Sequence, residues 1–305
     1  MEQGRRRRGG RARAVLAAVA AAVLGVAGCE AVGGDTPAPS GSGAQRGSPA
    51  PSPTPLWDTS PASVAAVGDS ITTGFDACGV LTDCPEVSWA TGDSERVDSL
   101  AVRLLGRAGA AGRSWNYAVT GARMADLPGQ IDRAVRRSPQ LVTVMVGAND
   151  ACRATPAAMT PVEEFRADFE DAMRRLRTAL PKTQVYVASV PDLKRLWSQG
   201  RTSVMGKQVW KLGICPSMLG DPDALDAAAV QRREAVRERV EDYNRVLAEV
   251  CAEDRRCRDD GGAVYEYRFG TRQLSRWDFF HPSVDGQARL AEIAHRAVTA
   301  KEPVT

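Results

Sequence analysis

Val64-Ala65-Ala66-Val67 runs directly into Gly68-Asp69-Ser70-Ile71-Thr72, and this junction constrains the fold more than any other stretch. A short apolar run that stops at a glycine turn reads as a buried strand. The serine just beyond it would stand at the carboxyl edge of a sheet, where open α/β folds place their chemistry. A serine hydroxyl alone is a weak nucleophile, so a base and an oxyanion site must come from elsewhere in the chain.

The rest of the chain alternates in the same manner. Further strands are expected at Trp115–Val119, Leu141–Val146 and Val185–Val190, with a weaker fifth at Ala263–Tyr267. Val97, Leu100, Ala101, Leu104 and Leu105 recur at helical spacing. Thr160-Pro161-Val162-Glu163 reads as an N-cap, a first-turn proline and a capping-box glutamate, followed by an apolar face of Phe165, Phe169, Leu176 and Leu180. A long charged helix is expected from Leu225 to Glu253, with Val236, Val240, Tyr243, Leu247 and Val250 inward, and a last helix from Ser283. This alternation predicts an α/β fold, a three-layer α/β/α sandwich on a mostly parallel sheet.

The N-terminal region belongs to another class of segment. Residues 1–28 carry six arginines, one glutamate and an apolar run from Ala14 to Ala27. That run is shorter than the roughly 20 residues of a membrane-spanning helix, and its charged-then-apolar layout is that of a signal peptide. It ends in Val26-Ala27-Gly28-Cys29, which resembles a bacterial lipobox. Lipidation of Cys29 would anchor the exported chain to the membrane; the alternative is an ordinary signal peptide, an incidental cysteine and free secretion. Without residues 1–28 the chain has 34 basic and 36 acidic residues, and its net charge moves from +3 to −2. No electrostatic footprint for nucleic acid remains. Residues 29–57 are rich in Pro, Gly and Ser and read as a flexible tether. Residues 58–303 are long enough for one substantial core, with no internal repeat.

Of seven cysteines, six follow Cys29. None forms a Cys-x-x-Cys pair, and an even number in an exported chain points to disulfides. Six cysteines allow 15 pairings. The close spacings suggest Cys78–Cys84 and Cys251–Cys257, which leaves Cys152–Cys215 by elimination.

Three more blocks accompany the serine. Gly121 follows the second strand, Gly147-Ala148-Asn149-Asp150 follows the third, and Trp277-Asp278-Phe279-Phe280-His281-Pro282 lies near the C-terminus. In these four blocks, and in their order, the chain resembles the SGNH (GDSL) hydrolases over nearly all of the exported domain. Val190–Trp197 looks like the matching stretch of the family's secreted bacterial lipases and esterases. The resemblance implies a flavodoxin-like sheet, Ser70 as nucleophile, His281 as base and Asp278 as the carboxylate that orients it. It further implies an oxyanion hole from the Ser70 and Gly121 backbone N–H groups and the Asn149 amide, with no metal or organic cofactor. The expected partner is a small-molecule or lipid ester, and the expected state is a monomer. A carbohydrate O-deacetylase or lysophospholipase would use the same machinery, and an inactive envelope binding protein would keep only the fold.

Each of these residues also has a plainer reading. Ser70 could cap a helix, Gly121 and Asn149-Asp150 could simply make turns, and Asp278 could lie at the surface. Thr72 stands where a nucleophile elbow, Gly-x-Ser-x-Gly, needs glycine, so an α/β-hydrolase is disfavoured. The chain has two histidines; His295 points away from the apolar face of the last helix and reads as solvated, which leaves His281 as the base. Residues 198–223 read as loop; residues 193–223, with the loop around Cys78 and Cys84, either wall an acyl pocket through Trp210, Leu212, Ile214 and Met218 or pack on the core.

Overall fold

The computed structural model describes residues 56–303. The signal segment, Cys29 and nearly all of the tether lie outside the described residues. Five strands form one sheet: β1 (Val64–Gly68), β2 (Ser114–Asn116), β3 (Leu141–Met145), β4 (Gln184–Val187) and β5 (Cys257–Asp259). Their order is β2-β1-β3-β4-β5 and every neighbouring pair is parallel. β1, β3 and β4 are buried along their whole length, because helices cover both faces of a parallel sheet.

The helices, in chain order, are α1 (Ser70–Thr73), α2 (Leu100–Arg113), α3 (Leu127–Ala134), α4 (Ala148–Ala151), α5 (Val162–Ala179), α6 (Leu193–Gly200), α7 (Val204–Trp210), α8 (Pro216–Leu219), α9 (Ala227–Ala252), α10 (Ala263–Glu266) and α11 (Val284–Thr299). The chain leaves β1 toward one edge of the sheet and leaves β2 toward the other. Right-handed crossovers therefore place α2 and α3 on opposite faces. α3 packs on α5 and α5 on α9, whereas α11 packs on α2. Phe165 of α5 stacks on Tyr243 of α9 with ring centroids 4.1 Å apart. No helix among the described residues is long and apolar enough to cross a membrane. Disulfides join Cys78 to Cys84, Cys152 to Cys215 and Cys251 to Cys257.

Several local expectations are corrected. The fifth strand is Cys257–Asp259, and Ala263–Glu266 is a helical turn. Gly261 and Gly262 at positive φ turn the chain there, and Asp260 accepts the Gly262 and Val264 N–H groups at 3.0 Å each. Thr160 does not cap α5: its hydroxyl donates to Asp150 Oδ1 at 2.8 Å, and Pro161 takes the N-cap position. α2 is interrupted at Gly106, with φ 68°. Residues 198–223 are not loop-like, since they contain the end of α6 and the whole of α7 and α8.

The carboxyl end of β1 is the tightest point of the sheet. Gly68 has φ +152°, and a Cβ there would meet the Met145 carbonyl oxygen at 2.2 Å. The Gln130 amide closes a ring on it, its oxygen accepting Gly68 N–H at 2.7 Å and its nitrogen donating to Gly68 O at 2.9 Å. Only glycine fits this backbone and this space. Gly68→Ala is expected to destabilise the protein by about 3 kcal/mol or more, read as a lower urea midpoint.

Candidate active site

Because β1 and β3 are neighbours whose outgoing connections diverge, a crevice opens at their carboxyl ends. Ser70 enters it as the first residue of α1, while Asp69 occupies the N-cap and accepts Ile71 N–H at 2.9 Å. Ser70 itself is therefore not the cap. Asn149 enters from α4 after β3, and Gly121 from the loop after β2. His281 and Asp278 come from the turn that precedes α11.

The structure brings these distant segments together. His281 Nε2 lies 2.8 Å from Ser70 Oγ, and His281 Nδ1 lies 2.5 Å from Asp278 Oδ2. Asp278 is fully buried rather than at the surface. Its Oδ1 accepts the Phe280 and His281 N–H groups at 2.9 and 3.0 Å. Trp210, buried beneath the turn, donates its indole N–H to the Asp278 carbonyl at 2.6 Å. These contacts hold the carboxylate and the ring in one orientation. Phe75 packs its ring edge-on to the imidazole at 5.0 Å.

Ser70, Gly121, Asn149 and His281 line one cavity of about 210 Å³. Gly121 has φ +83° and open space where a Cβ would stand. Asn149 donates one amide hydrogen to Ala122 O at 3.0 Å, which orients the side chain and leaves its second N–H for the cavity. Apart from Thr120 the remaining wall is apolar, chiefly Leu193 and Leu196 of α6, Ile214, Phe280 and the Cys152–Cys215 disulfide. Of the expected pocket residues, Ile214 is in this wall, but Trp210 and Met218 are buried in the core and Leu212 is exposed. The Cys78–Cys84 loop does not line the cavity. His295 lies on α11 away from the cavity, half-buried rather than solvated.

Electrostatics follow from this packing. Burial disfavours the charged His281 imidazole, but the Asp278 charge and its hydrogen bond to the ring outweigh burial, so its pKa is raised. Burial pushes Asp278 up, but the His281 charge and hydrogen bond and two backbone N–H groups bring the net shift below the ordinary value. Asp150 is pushed up to about 6, chiefly by burial; it accepts from Thr160 and from Met124 N–H, so it ties loops together and does not face the cavity. Sequence reasoning did not find Leu193, Leu196 or Phe280 as cavity wall, since apolar residues bound for a cavity and for the core look alike.

The fold and site define a parallel α/β protein with a Ser–His–Asp constellation at the sheet's switch point. A family model, GDSL-like Lipase/Acylhydrolase, matches residues 64–294. The chain belongs to that family. Among solved structures it is similar to an alpha/beta hydrolase enzyme from the metagenome of Lake Arreo, Spain, at 20% identity and TM-score 0.47, over 78% of this chain and 94% of that one. An extracellular lipase from Streptomyces rimosus gives 19% identity and TM-score 0.43, over 76% and 99%. A family two carbohydrate esterase from Clostridium thermocellum, in complex with cellohexaose, gives 14% and 0.42, over 76% and 62%. No curated protein matches the chain.

Asp69 supplies a test of this electrostatic arrangement. Burial, opposed by the Ile71 N–H and the His281 charge, raises its pKa from 3.8 to about 7. Between those values the native state holds a proton that the unfolded state has released, so this group's stabilising contribution is full below 3.8 and is lost as pH rises toward 7. Asp69→Asn keeps an acceptor for Ile71 N–H and removes the titration. The drop in unfolding free energy between about pH 4 and about pH 7, measured in urea, is expected to be smaller in the variant than in the wild type.

Proposed function

We propose that the protein is a serine carboxylic-ester hydrolase of esterase or lipase type, working through an acyl-Ser70 intermediate. The hydrogen-bonded chain from Ser70 Oγ through His281 to Asp278 carries this reading. His281 Nε2 takes the Ser70 proton as Oγ attacks the ester carbonyl, and Asp278 holds the Nδ1–H tautomer. The Ser70 and Gly121 N–H groups and the Asn149 amide face the oxygen as it gains charge. His281 then returns the proton to the leaving alcohol, and a water, activated by the same imidazole, releases the acid. The chain's own residues suffice for every proton transfer.

Ser70→Ala is expected to abolish hydrolysis of a short aryl ester and labelling by a fluorophosphonate, with the melting temperature almost unchanged. Asn149→Ala, in the same assay, should slow turnover by roughly 10²–10³. A wild-type protein that neither hydrolyses esters nor takes the label would be a binding protein on this fold.

The cavity supports a short acyl group. Its 210 Å³ falls below the roughly 300–1,000 Å³ of drug-sized ligand pockets. Such a pocket also suits an acetyl ester on a carbohydrate, which is the second reading. Ile214→Trp is expected to shift preference further toward acetyl esters, lowering kcat/KM for longer aryl esters by about ten-fold relative to acetate. A panel of aryl esters and acetylated sugars, compared by kcat/KM, measures the shift.

The same reading puts the enzyme outside the cytoplasm, held at the membrane through a lipidated Cys29 and a tether, and acting as a monomer. The charged-then-apolar N-terminus and the three disulfides support export.

A further inference from the structure

A third carboxyl group stands behind the Ser70–His281–Asp278 chain. Asp76 follows Ser70 by six residues, and only 1% of its surface is exposed. Asp76, Asp278 and His281 each offer an oxygen or ring nitrogen within 4.8 Å of the others. The backbone at Asp76 is built to hold it there. Its φ is +57°, a conformation costly to most side chains. Asp76 N–H donates to Thr82 O at 3.0 Å, and Ser275 Oγ donates to Asp76 O at 2.6 Å. The Cys78–Cys84 disulfide closes the same loop.

The two carboxyls are unequally served. Asp278 receives three donors: the imidazole Nδ1–H and two backbone N–H groups. Asp76 Oδ1 receives only Leu81 N–H, and Asp76 Oδ2 is buried with no partner among the described residues. Two carboxylates this close in a dry site do not both ionise. The better-served oxygen pair takes the charge, and the unpartnered oxygen takes the proton.

We propose that Asp76 is a positioning residue: it holds a proton on Oδ2 and donates it as a hydrogen bond to the Asp278 carboxylate, extending the chain to Asp76–Asp278–His281–Ser70. The proposal rests on the triad reading above. Asp76 passes its proton neither to the substrate nor to His281. Its donor fixes the Asp278 carboxylate opposite the imidazole and keeps the mobile proton on His281. The charged groups facing Asp76 are Asp278 and His281, and Asp69 acts on the same imidazole. Burial first, then the Asp278 charge, raises the Asp76 pKa against the opposing effects of Leu81 N–H and His281.

The test combines a spectrum with kinetics. An infrared difference spectrum of wild type against Asp76→Asn at about pH 5, below the raised Asp76 pKa of about 6, should show a protonated-carboxyl C=O stretch lost in the variant. Asn also tolerates positive φ, so the fold should survive. That spectrum needs no turnover, so it reports on Asp76 even if ester hydrolysis itself fails to appear. Asp76→Ala should lower kcat about ten-fold, the worth of one hydrogen bond to a charged group, with KM little changed. Asp76→Asn, whose amide donates in place of the carboxyl, should restore most of that loss and leave the acid limb of the pH–rate profile where it was. An absent carboxyl band would overturn the proposal, as would an Asp76→Ala enzyme with wild-type kcat. So would an acid limb that moves to lower pH in Asp76→Asn, because it would show that Asp76 had carried a negative charge beside His281.

Discussion

The close approach of β1 and β3 at their carboxyl ends is the constraint on which the rest depends. Gly68 and Met145 are register partners, and the missing Cβ at Gly68 lets the strands stay in contact up to the last residue. Asp69 N–H then donates to Met145 O at 3.2 Å, so the turn that presents Ser70 is fastened to the neighbouring strand. The same pairing delivers Asn149 beside Ser70, since both follow strands that end at one level. Gly147 repeats the device with φ +132° and a virtual Cβ 2.7 Å from Val190 Cγ2. The crevice between the two turns is thus a consequence of strand order and two glycines.

Around this crevice the chain fastens its loops with buried carboxylates more than with ion pairs. Asp69 caps α1, Asp150 joins the Met124 turn to Thr160, and Asp260 gathers Ser189 with the turn before α10. Each accepts N–H or O–H groups that would otherwise be stranded away from water, which offsets part of the cost of burial. The salt bridges, by contrast, lie mostly on exposed helix faces, such as Arg175 with Asp171 and Asp132, where pairs contribute little. Loop positions here are therefore set by geometry that salt does not screen. The His281 imidazole, with acids around it, is sensitive to such positions, because a small shift of a neighbouring carboxylate changes its basicity.

How much of this was legible in the sequence follows the physics of each signal. Strands buried on both faces are continuous apolar runs, so β1, β3 and β4 announced themselves, as did α9 through Val236, Val240, Tyr243 and Leu247. The sheet's last strand did not: Cys257–Asp259 is three residues long with one buried position, too short to carry a pattern. Thr160 has the chemistry of an N-cap, yet Asp150, ten residues earlier, competed for its hydroxyl. Ser70, Gly121, Asn149, Asp278 and His281 were legible because each sits at a strand end or in a rare residue type; a chain with two histidines offers few bases. Leu193, Leu196 and Asp76 were not, because nothing local distinguishes a cavity wall from a core residue, or a buried loop aspartate from an exposed one.

The cavity wall shows why segments remote from the strand ends still bear on the chemistry. Cys215 adopts φ +43° and is tied to Cys152, the residue that ends α4 just after Asn149. Ser217 Oγ donates to Ala151 O and Ser217 N–H to Arg153 O, so three links clamp the start of α8 onto the end of α4. The buried Arg233 guanidinium of α9 donates to the Met218, Gly220 and Asp221 carbonyls from below. Ile214 thus stands next to a residue that is covalently tied to the end of the helix carrying Asn149. Ile214 of the cavity wall and Asn149 are linked through the Cys152–Cys215 bridge and the Ser217 hydrogen bonds.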